Sequence, residues 1–147
     1  MIFSDEWYRS EWRRLGFHYE LDEVSRRWNI NGSAKGLHSF VAAIREYAAD
    51  SENDWVSCHL NLGPHEYLEI GTWSSAIIDD HWIAGPLSEL LSLATFIEKW
   101  IGASKVGDCV SVRPFFSPDS RYDVWLRLAP DDFDPSSLDT SLATPFS

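Results

Sequence analysis

Lysine and arginine are absent from residues 46–98, a stretch of 53 residues that contains ten acidic side chains. Over the whole chain of 147 residues, 12 basic residues stand against 23 acidic ones, which gives a net charge of −11. Nucleic-acid backbones and anionic membranes attract basic surfaces, so this composition argues against both as partners. The acidic stretch is instead expected to attract a basic protein, although charge of this size also serves to keep a protein soluble.

Cysteine, long apolar runs and a leader segment are also scarce or missing. Both cysteines, Cys58 and Cys109, fall in segments that we predict as strands, where reduced thiols pack well, so we expect no disulfide. Apolar runs stay well short of the ~20 residues of a membrane-spanning helix. Residues 1–6 lack the basic segment and apolar segment of a signal peptide. We therefore expect a cytoplasmic protein.

Apolar periodicity predicts three helices. A short helix spans residues 4–15, with Ser4 as its N-cap and Gly16 as its stop. Apolar residues three and four positions apart predict two longer amphipathic helices, one beginning at Ser33 and one running from Pro86 to Gly102. These two helices separate the strand-like segments of the chain.

Alternating apolar and polar residues predict the strands. The predicted strands are residues 17–22, 27–31, 55–62, 66–73, 75–78, 108–116 and 121–128. Their order favours one α+β domain over residues 1–129, with a mostly antiparallel sheet and the two longer helices packed on one face. Residues 130–147 contain four aspartates and three prolines but no basic residue, and we expect an irregular acidic tail.

Large aromatic side chains fall on the strand positions that point away from the predicted core. This outward set comprises Trp55, His59, Tyr67, Glu69, Trp73, Phe115 and Trp125. Aromatic residues mixed with isolated charges are typical of protein interfaces. Three coverings of this face stay open: the N-terminal helix or the tail, a second copy of the chain in a homodimer, or a different protein.

Acidic residues beside tryptophans in loops and at strand ends indicate where a partner would bind. The predicted partner-binding residues are Glu52, Asp54, Trp55, Glu69, Trp73, Asp79, Asp80 and Trp82. The acids would steer a basic partner and accept its hydrogen bonds, and the tryptophans would serve as desolvated anchors.

Signatures of catalysis are weak in this sequence. Two groups resemble a metal-ligand or acid–base set: Asp79 with Asp80 and His81, and His59 with His65 and Glu66. Neither has the i, i+4 spacing of a zinc-binding helix. The glycine-rich run at residues 32–36 lacks the frame of a phosphate-binding loop. We predict a non-enzymatic protein without cofactor or metal. The alternatives are a small metal-dependent hydrolase that uses His59, His65, Asp79 or His81, and a homo-oligomeric adaptor.

Three parts of the chain carry a resemblance to a known group of proteins: residues 28–49, residues 55–73, and the run Asp79, Asp80, His81 and Trp82. In size, acidity and α+β order the chain resembles the small acidic immunity proteins of bacterial polymorphic-toxin and contact-dependent inhibition systems. The resemblance implies a stoichiometric inhibitor that binds a cognate toxin, often a basic nuclease, and blocks its active site or substrate surface. It implies no catalytic residue, because these proteins act by occlusion.

Overall fold

The computed structural model describes residues 4–64 and 68–142, and helices and strands alternate along them. The α-helices are Asp5–Leu15 (α1), Ala34–Ala49 (α2), Leu87–Ala103 (α3) and Arg113–Phe116 (α4). The strands are Phe17–Asp22 (β1), Arg27–Gly32 (β2), His59–Asn61 (β3), Glu69–Thr72 (β4), Ile77–Ile78 (β5), Trp82–Gly85 (β6), Cys109–Ser111 (β7) and Asp123–Leu128 (β8). The predicted α+β class is confirmed.

The strands form two mixed sheets rather than the single sheet that we expected. The first has the order β1-β2-β8-β7 and the second the order β3-β4-β6-β5. In each sheet the central pair is parallel and the two outer pairs are antiparallel. Because β8 lies beside β2, the first sheet is completed by the C-terminal hairpin, and β3 to β6 pair among themselves.

Helices α2 and α3 pack along each other and connect the two sheets. Helix α2 contacts β1 and β2 of the first sheet, while α3 contacts β6 of the second. Fully buried side chains from both sheets and both helices, such as Trp28, Phe40, Ile83 and Leu90, belong to one core cluster. At the exposed side of the helix pair, Arg45 and Glu98 form a bidentate ion pair.

Local capping residues set the helix ends largely as predicted. The Ser4 and Ser33 hydroxyls cap α1 and α2, and Gly16 ends α1 in the left-handed conformation with φ 93°. Pro86 is the N-cap of α3. The predicted stop at Gly102 is wrong by two residues, because α3 continues to Ala103 and is capped by Ser104.

The strand predicted over residues 55–62 is largely wrong, since only His59–Asn61 is extended. The residues before it form a turn in which the Cys58 amide donates to the Trp55 carbonyl oxygen and Ser57 adopts φ 79°. A left-handed residue bends the chain away from an extended path. Val56 and Leu60, which alternate with the outward Trp55 and His59 in the predicted strand and would face the core there, are 58% and 43% exposed.

The neighbouring strand is also shorter than predicted, but its two faces are assigned correctly. It covers Glu69–Thr72, with Leu68 and Ile70 fully buried and Glu69 on the opposite face. His65, Glu66 and Tyr67 lie outside the described residues. The predictions that involve them are therefore not addressed by the structure.

The strand predicted over residues 108–116 is wrong in its second half, which forms the helical turn α4. The buried Asp123 carboxylate accepts the Arg113 amide at 2.9 Å, and Pro114 occupies the first turn. An acidic acceptor and an early proline both favour the start of a helix. The hairpin itself is retained, because β7 pairs antiparallel with β8.

The described part of the tail, residues 130–142, packs against α1. It contains one 3-10 turn, Pro135–Leu138. Arg13 forms a bidentate pair with Asp134 and thereby lowers the pKa of that carboxyl, while the Trp12 indole donates to Asp139 at 2.8 Å. Helix α1 and this turn both contact β1, so they lie at the edge of the first sheet.

The predicted outward set is divided by the presence of two sheets. Trp125 lies in the first sheet, where the Arg27 guanidinium is 3.9 Å from its ring centroid, and Phe115 lies on α4. Trp55, His59, Glu69 and Trp73 belong to the second sheet and its turns.

Within residues 4–64 and 68–142, no helix has the length and apolar character needed to span a membrane.

Candidate protein-binding face

The outer face of the second sheet carries three of the predicted binding residues, Glu69, Trp73 and Trp82, and the other five lie in adjoining loops and turns. In the strand register, Asn61 lies opposite Glu69, Glu69 beside Trp82, and His59 opposite Gly71. Because side chains alternate along a strand, these residues point away from the buried Ile70 and Ile83. We call this surface the acidic–aromatic face. The face comprises a centre on the sheet, formed by His59, Glu69, Trp73, His81 and Trp82, and two ends in the adjoining loops, Asp79 with Asp80 before β6 and Glu52 with Asp54 before the turn that is attached to β4.

A row of three aromatic rings forms the centre of the face. The His81 ring stacks on Trp82 at a centroid distance of 5.0 Å, and the Trp73 ring lies 5.6 Å from the Trp82 ring. Trp82 extends across Gly71, where an added Cβ would overlap its ring. Trp82 is only 9% exposed as a result. It supports the row and does not offer the open anchor that we expected of it.

Gly71 tests whether the row depends on this close approach. Replacing Gly71 with alanine should displace the Trp82 ring, cost about 1–3 kcal/mol of the free energy of unfolding, and change the near-UV circular dichroism. The matched control is Gly102→Ala, because a Cβ at Gly102 meets nothing within 4 Å. Since Gly102 lies inside α3, the control should stabilise the protein by about 0.5–1 kcal/mol. An unchanged Gly71→Ala spectrum and stability would contradict the arrangement.

The two histidines of the face each contact an acid. His59 Nε2 lies 3.6 Å from Glu69 Oε2, and His81 Nδ1 lies 3.1 Å from Asp80 Oδ1. Both imidazoles are about half exposed. The sequence has no lysine or arginine between residues 46 and 98, so these two histidines are the basic side chains of the described part of this stretch, and His65 lies outside the described residues. The face is therefore acidic whenever the histidines are neutral.

The Asp79–Asp80 end is held by the core beneath it. The Trp28 indole donates to the Asp79 carbonyl oxygen at 2.8 Å, and the Asp79 amide donates to the Trp82 carbonyl oxygen at 2.9 Å. The Asp79 carboxylate also accepts the amide of Asp80 at 2.9 Å. These bonds fix the backbone of the turn and leave the Asp80 carboxylate more than half exposed.

The opposite end, at residues 52–55, is held by a buried hydroxyl network. The Tyr47 hydroxyl donates to the Cys58 carbonyl oxygen at 2.7 Å and lies equally close to the Thr72 hydroxyl. Thr72 in turn donates to the Asn53 carbonyl oxygen at 2.6 Å. Burial raises the pKa of Tyr47 to about 12, so its hydroxyl stays protonated and remains a donor at neutral pH.

This network positions the most exposed tryptophan among the predicted residues. Trp55 is 73% exposed, and Glu52 and Asp54 beside it are exposed as well. The Ser57 amide donates to the Thr72 carbonyl oxygen at 2.9 Å, so the turn that carries Trp55 is attached to the end of β4. Trp55 therefore combines high exposure with a fixed base, as an interface anchor requires.

A cleft of about 530 Å³ continues the acidic surface beyond the Asp79–Asp80 end. It lies between that turn, β1 and the tail, and its acidic lining residues are Glu20, Asp80 and Asp139. No lysine or arginine is among the described residues that line it. The negative surface of the second sheet thus extends over part of the first.

Of the two groups of possible metal ligands considered from sequence, the described residues bring one together. Among the described residues, Asp79, Asp80 and His81 are the one group of three whose ligand atoms lie within 4.8 Å of one another. His59 is outside this group and contacts Glu69 instead, and His65 lies outside the described residues. The Asp79 carboxylate is already bonded to an amide, and Asp80 is bonded to His81. We derive no hydrolytic chemistry from this turn.

Two contributors to the face were missed in the partner-binding set predicted from sequence. His81 was considered only as a ligand, yet its ring completes the aromatic row. Gly71 went unnoticed, although a glycine between the outward positions of Glu69 and Trp73 leaves room on that face for a neighbouring ring.

Comparison of the chain with family models, curated proteins and solved structures finds no match.

Proposed function

We propose that this protein is a non-enzymatic inhibitor that binds a basic protein through the acidic–aromatic face and occludes its active site or substrate surface. The observation that carries the proposal is the arrangement of the face, in which two acidic ends flank a supported row of aromatic rings. Acidic ends attract and orient a basic partner, and aromatic side chains at the centre exclude water once it is bound.

The chemistry of the face favours binding over catalysis. The exposed Trp55 offers a large apolar contact area at one end. The Asp80 and Glu69 carboxylates, which are partly exposed, are suited to accept hydrogen bonds from arginine or lysine. A nucleophile with a general base within hydrogen-bond reach, the usual requirement of covalent catalysis, is not among the contacts of these residues.

The class of the partner follows from the resemblance to immunity proteins. Under that proposal the partner is the cognate toxin, a basic protein encoded next to this one, and the complex forms in the cytoplasm of the bacterium that produces both. A single inhibitor molecule binds a single toxin molecule, as occlusion requires.

Coexpression with the product of the adjacent gene tests the proposal. We expect the two proteins to copurify as a one-to-one complex with a Kd below about 1 µM, and the present protein to relieve the growth defect caused by its partner. Trp55→Ala should weaken the complex by about 30-fold, whereas Trp125→Ala, on the first sheet, should leave it unchanged.

Two results would count against the proposal. If no complex forms at micromolar concentrations, the product of the adjacent gene is not the partner of this protein. Stoichiometric zinc or manganese in the purified protein would instead favour the metal-dependent alternative, because the Asp79, Asp80 and His81 side chains are the described group able to hold such an ion.

A further inference from the structure

An apolar groove of about 690 Å³ runs along the exposed side of α3, between that helix and α4. Phe115 and Leu91 on its walls are 52% and 38% exposed. The Phe96 ring packs edge-on against Phe115 at a centroid distance of 4.3 Å and fixes its position. A contiguous apolar surface on a helix commonly marks an interaction site. This groove lies on elements that the acidic–aromatic face does not use.

The charges along α3 indicate what fits the groove. Lys99 is the one charged residue among the described residues that line it. Glu98, its neighbour in sequence, points elsewhere and pairs with Arg45 of α2. Glu89 is exposed in the first turn of the helix. The exposed side of α3 is therefore acidic near its beginning and basic near its end, which is complementary to a second α3 running in the opposite direction.

We propose that α3 packs antiparallel against α3 of a second copy of this chain, across a two-fold axis at the middle of the groove. The α3 residues of the groove run from Leu91 to Trp100, so the axis falls between Thr95 and Phe96. Lys99 of one copy then lies opposite Ser92 of the other copy. Glu89 of that other copy is three residues from Ser92, which is about 4.5 Å along the helix axis. The Lys99 side chain is long enough to reach Glu89 of the other copy across that offset. Because the two copies are related by a two-fold axis, this ion pair occurs twice.

The shape of the helix surface permits this approach. The exposed residues that follow one another along the stripe through Lys99 are small: Ser88, Ser92, Thr95 and Gly102. They recur at intervals of three, four and seven, the spacing of side chains that face a neighbouring helix. Antiparallel helices also oppose their dipoles favourably. Phe115 of each copy flanks the helix pair and loses its exposure.

The proposal is independent of the proposed inhibitor function and differs from the homodimer considered from sequence. That homodimer used the outward sheet face, whereas this contact uses α3 and α4 and shares with the predicted outward set only Phe115. A dimer formed through α3 keeps the acidic–aromatic face of each copy open.

Sedimentation equilibrium of the purified chain tests the contact. We expect a dimer with a Kd of about 10 µM, as befits a contact centred on one helix pair. Lys99→Glu and Glu89→Lys should each weaken the dimer by about tenfold, because each places like charges at positions 89 and 99 of opposite copies and so replaces both ion pairs with repulsion. The chain that carries both substitutions should dimerise within about threefold of the original, since the exchange restores both ion pairs. All three variants alter exposed residues, and unchanged circular dichroism would establish that they fold.

A chain that stays monomeric at about 0.2 mM would overturn the proposal. A dimer that neither single substitution weakens, or that the paired substitution fails to restore, would place the contact elsewhere and overturn it as well. Thr95→Arg supplies a second variant, because it sets two like charges face to face at the axis and should abolish the dimer. A Thr95→Arg chain that dimerises as the original does would contradict the assigned axis.

Discussion

Replacing Trp28 with alanine is expected to remove about 3–5 kcal/mol from the free energy of unfolding. Trp28 is fully buried in β2, and its indole donates to the Asp79 carbonyl oxygen at 2.8 Å. The substitution leaves a cavity in the core and also leaves that carbonyl without its donor. It is therefore expected to loosen the Asp79–Asp80 end of the acidic–aromatic face while it lowers stability.

Urea denaturation followed by far-UV circular dichroism measures this loss. Trp55→Ala is the matched control, because Trp55 is 73% exposed and its removal should change stability by no more than about 0.5 kcal/mol. Trp28→Phe separates the two contributions, since it keeps most of the apolar volume and removes the indole donor. It should cost about 1–3 kcal/mol. A Trp28→Ala variant within about 1 kcal/mol of the original would contradict the core described for this protein.

Reversing one charge at each end of the acidic–aromatic face is expected to slow association with the basic partner by at least about tenfold. The variant is Asp54→Lys with Asp80→Lys. Both side chains are exposed, and the Asp80 carboxylate contacts the ring of its neighbour His81. The dissociation rate should change less, because charges at the rim of an interface act mainly on the encounter.

A control variant of identical net charge separates the effect of the acidic–aromatic face on the association rate from the effect of the total charge of the molecule. Asp131→Lys with Asp132→Lys raises the net charge by the same amount and alters two exposed residues of the tail, away from the second sheet. Stopped-flow association at low and high salt measures both variants. If both slow association equally, the acidic–aromatic face has no special part in steering. Equal rates for all three proteins at low salt would exclude electrostatic steering altogether.

Helices α1, α2 and α3 could be predicted from the sequence because their signals are local. The Ser4 and Ser33 caps and the glycine at residue 16 act within one turn of the residues that they terminate. The apolar stripe of α2 likewise repeats over neighbouring turns. Such features need no knowledge of the rest of the chain.

The sheets could not be predicted in the same way, because their pairing joins distant residues. Arg27 of β2 lies beside Asp123 of β8, and no local pattern specifies that parallel pairing. The turn at Ser57 shows a second limit, since residues 55–58 alternate like a strand although the backbone bends there. Tertiary contacts decided both cases.

The candidate site shows the same division. Its acidity was visible as an absence of lysine and arginine, and Glu69, Trp73, Asp79 and Asp80 do share one surface. The burial of Trp82 could not be predicted from the sequence, because it depends on the pairing of β6 with β4, which places Gly71 beneath the Trp82 ring. Sequence indicated the chemistry of the face, and strand register determined which rings stay open.

Hydrogen–deuterium exchange of the complex tests the central claim most directly. The measurement compares amide exchange in the isolated chain and in the chain bound to its basic partner. We expect slower exchange in residues 50–62 and 68–85, which form the acidic–aromatic face, and unchanged exchange in β7 and β8 of the first sheet. Protection confined to the first sheet, with residues 50–62 and 68–85 unaffected, would contradict the claim.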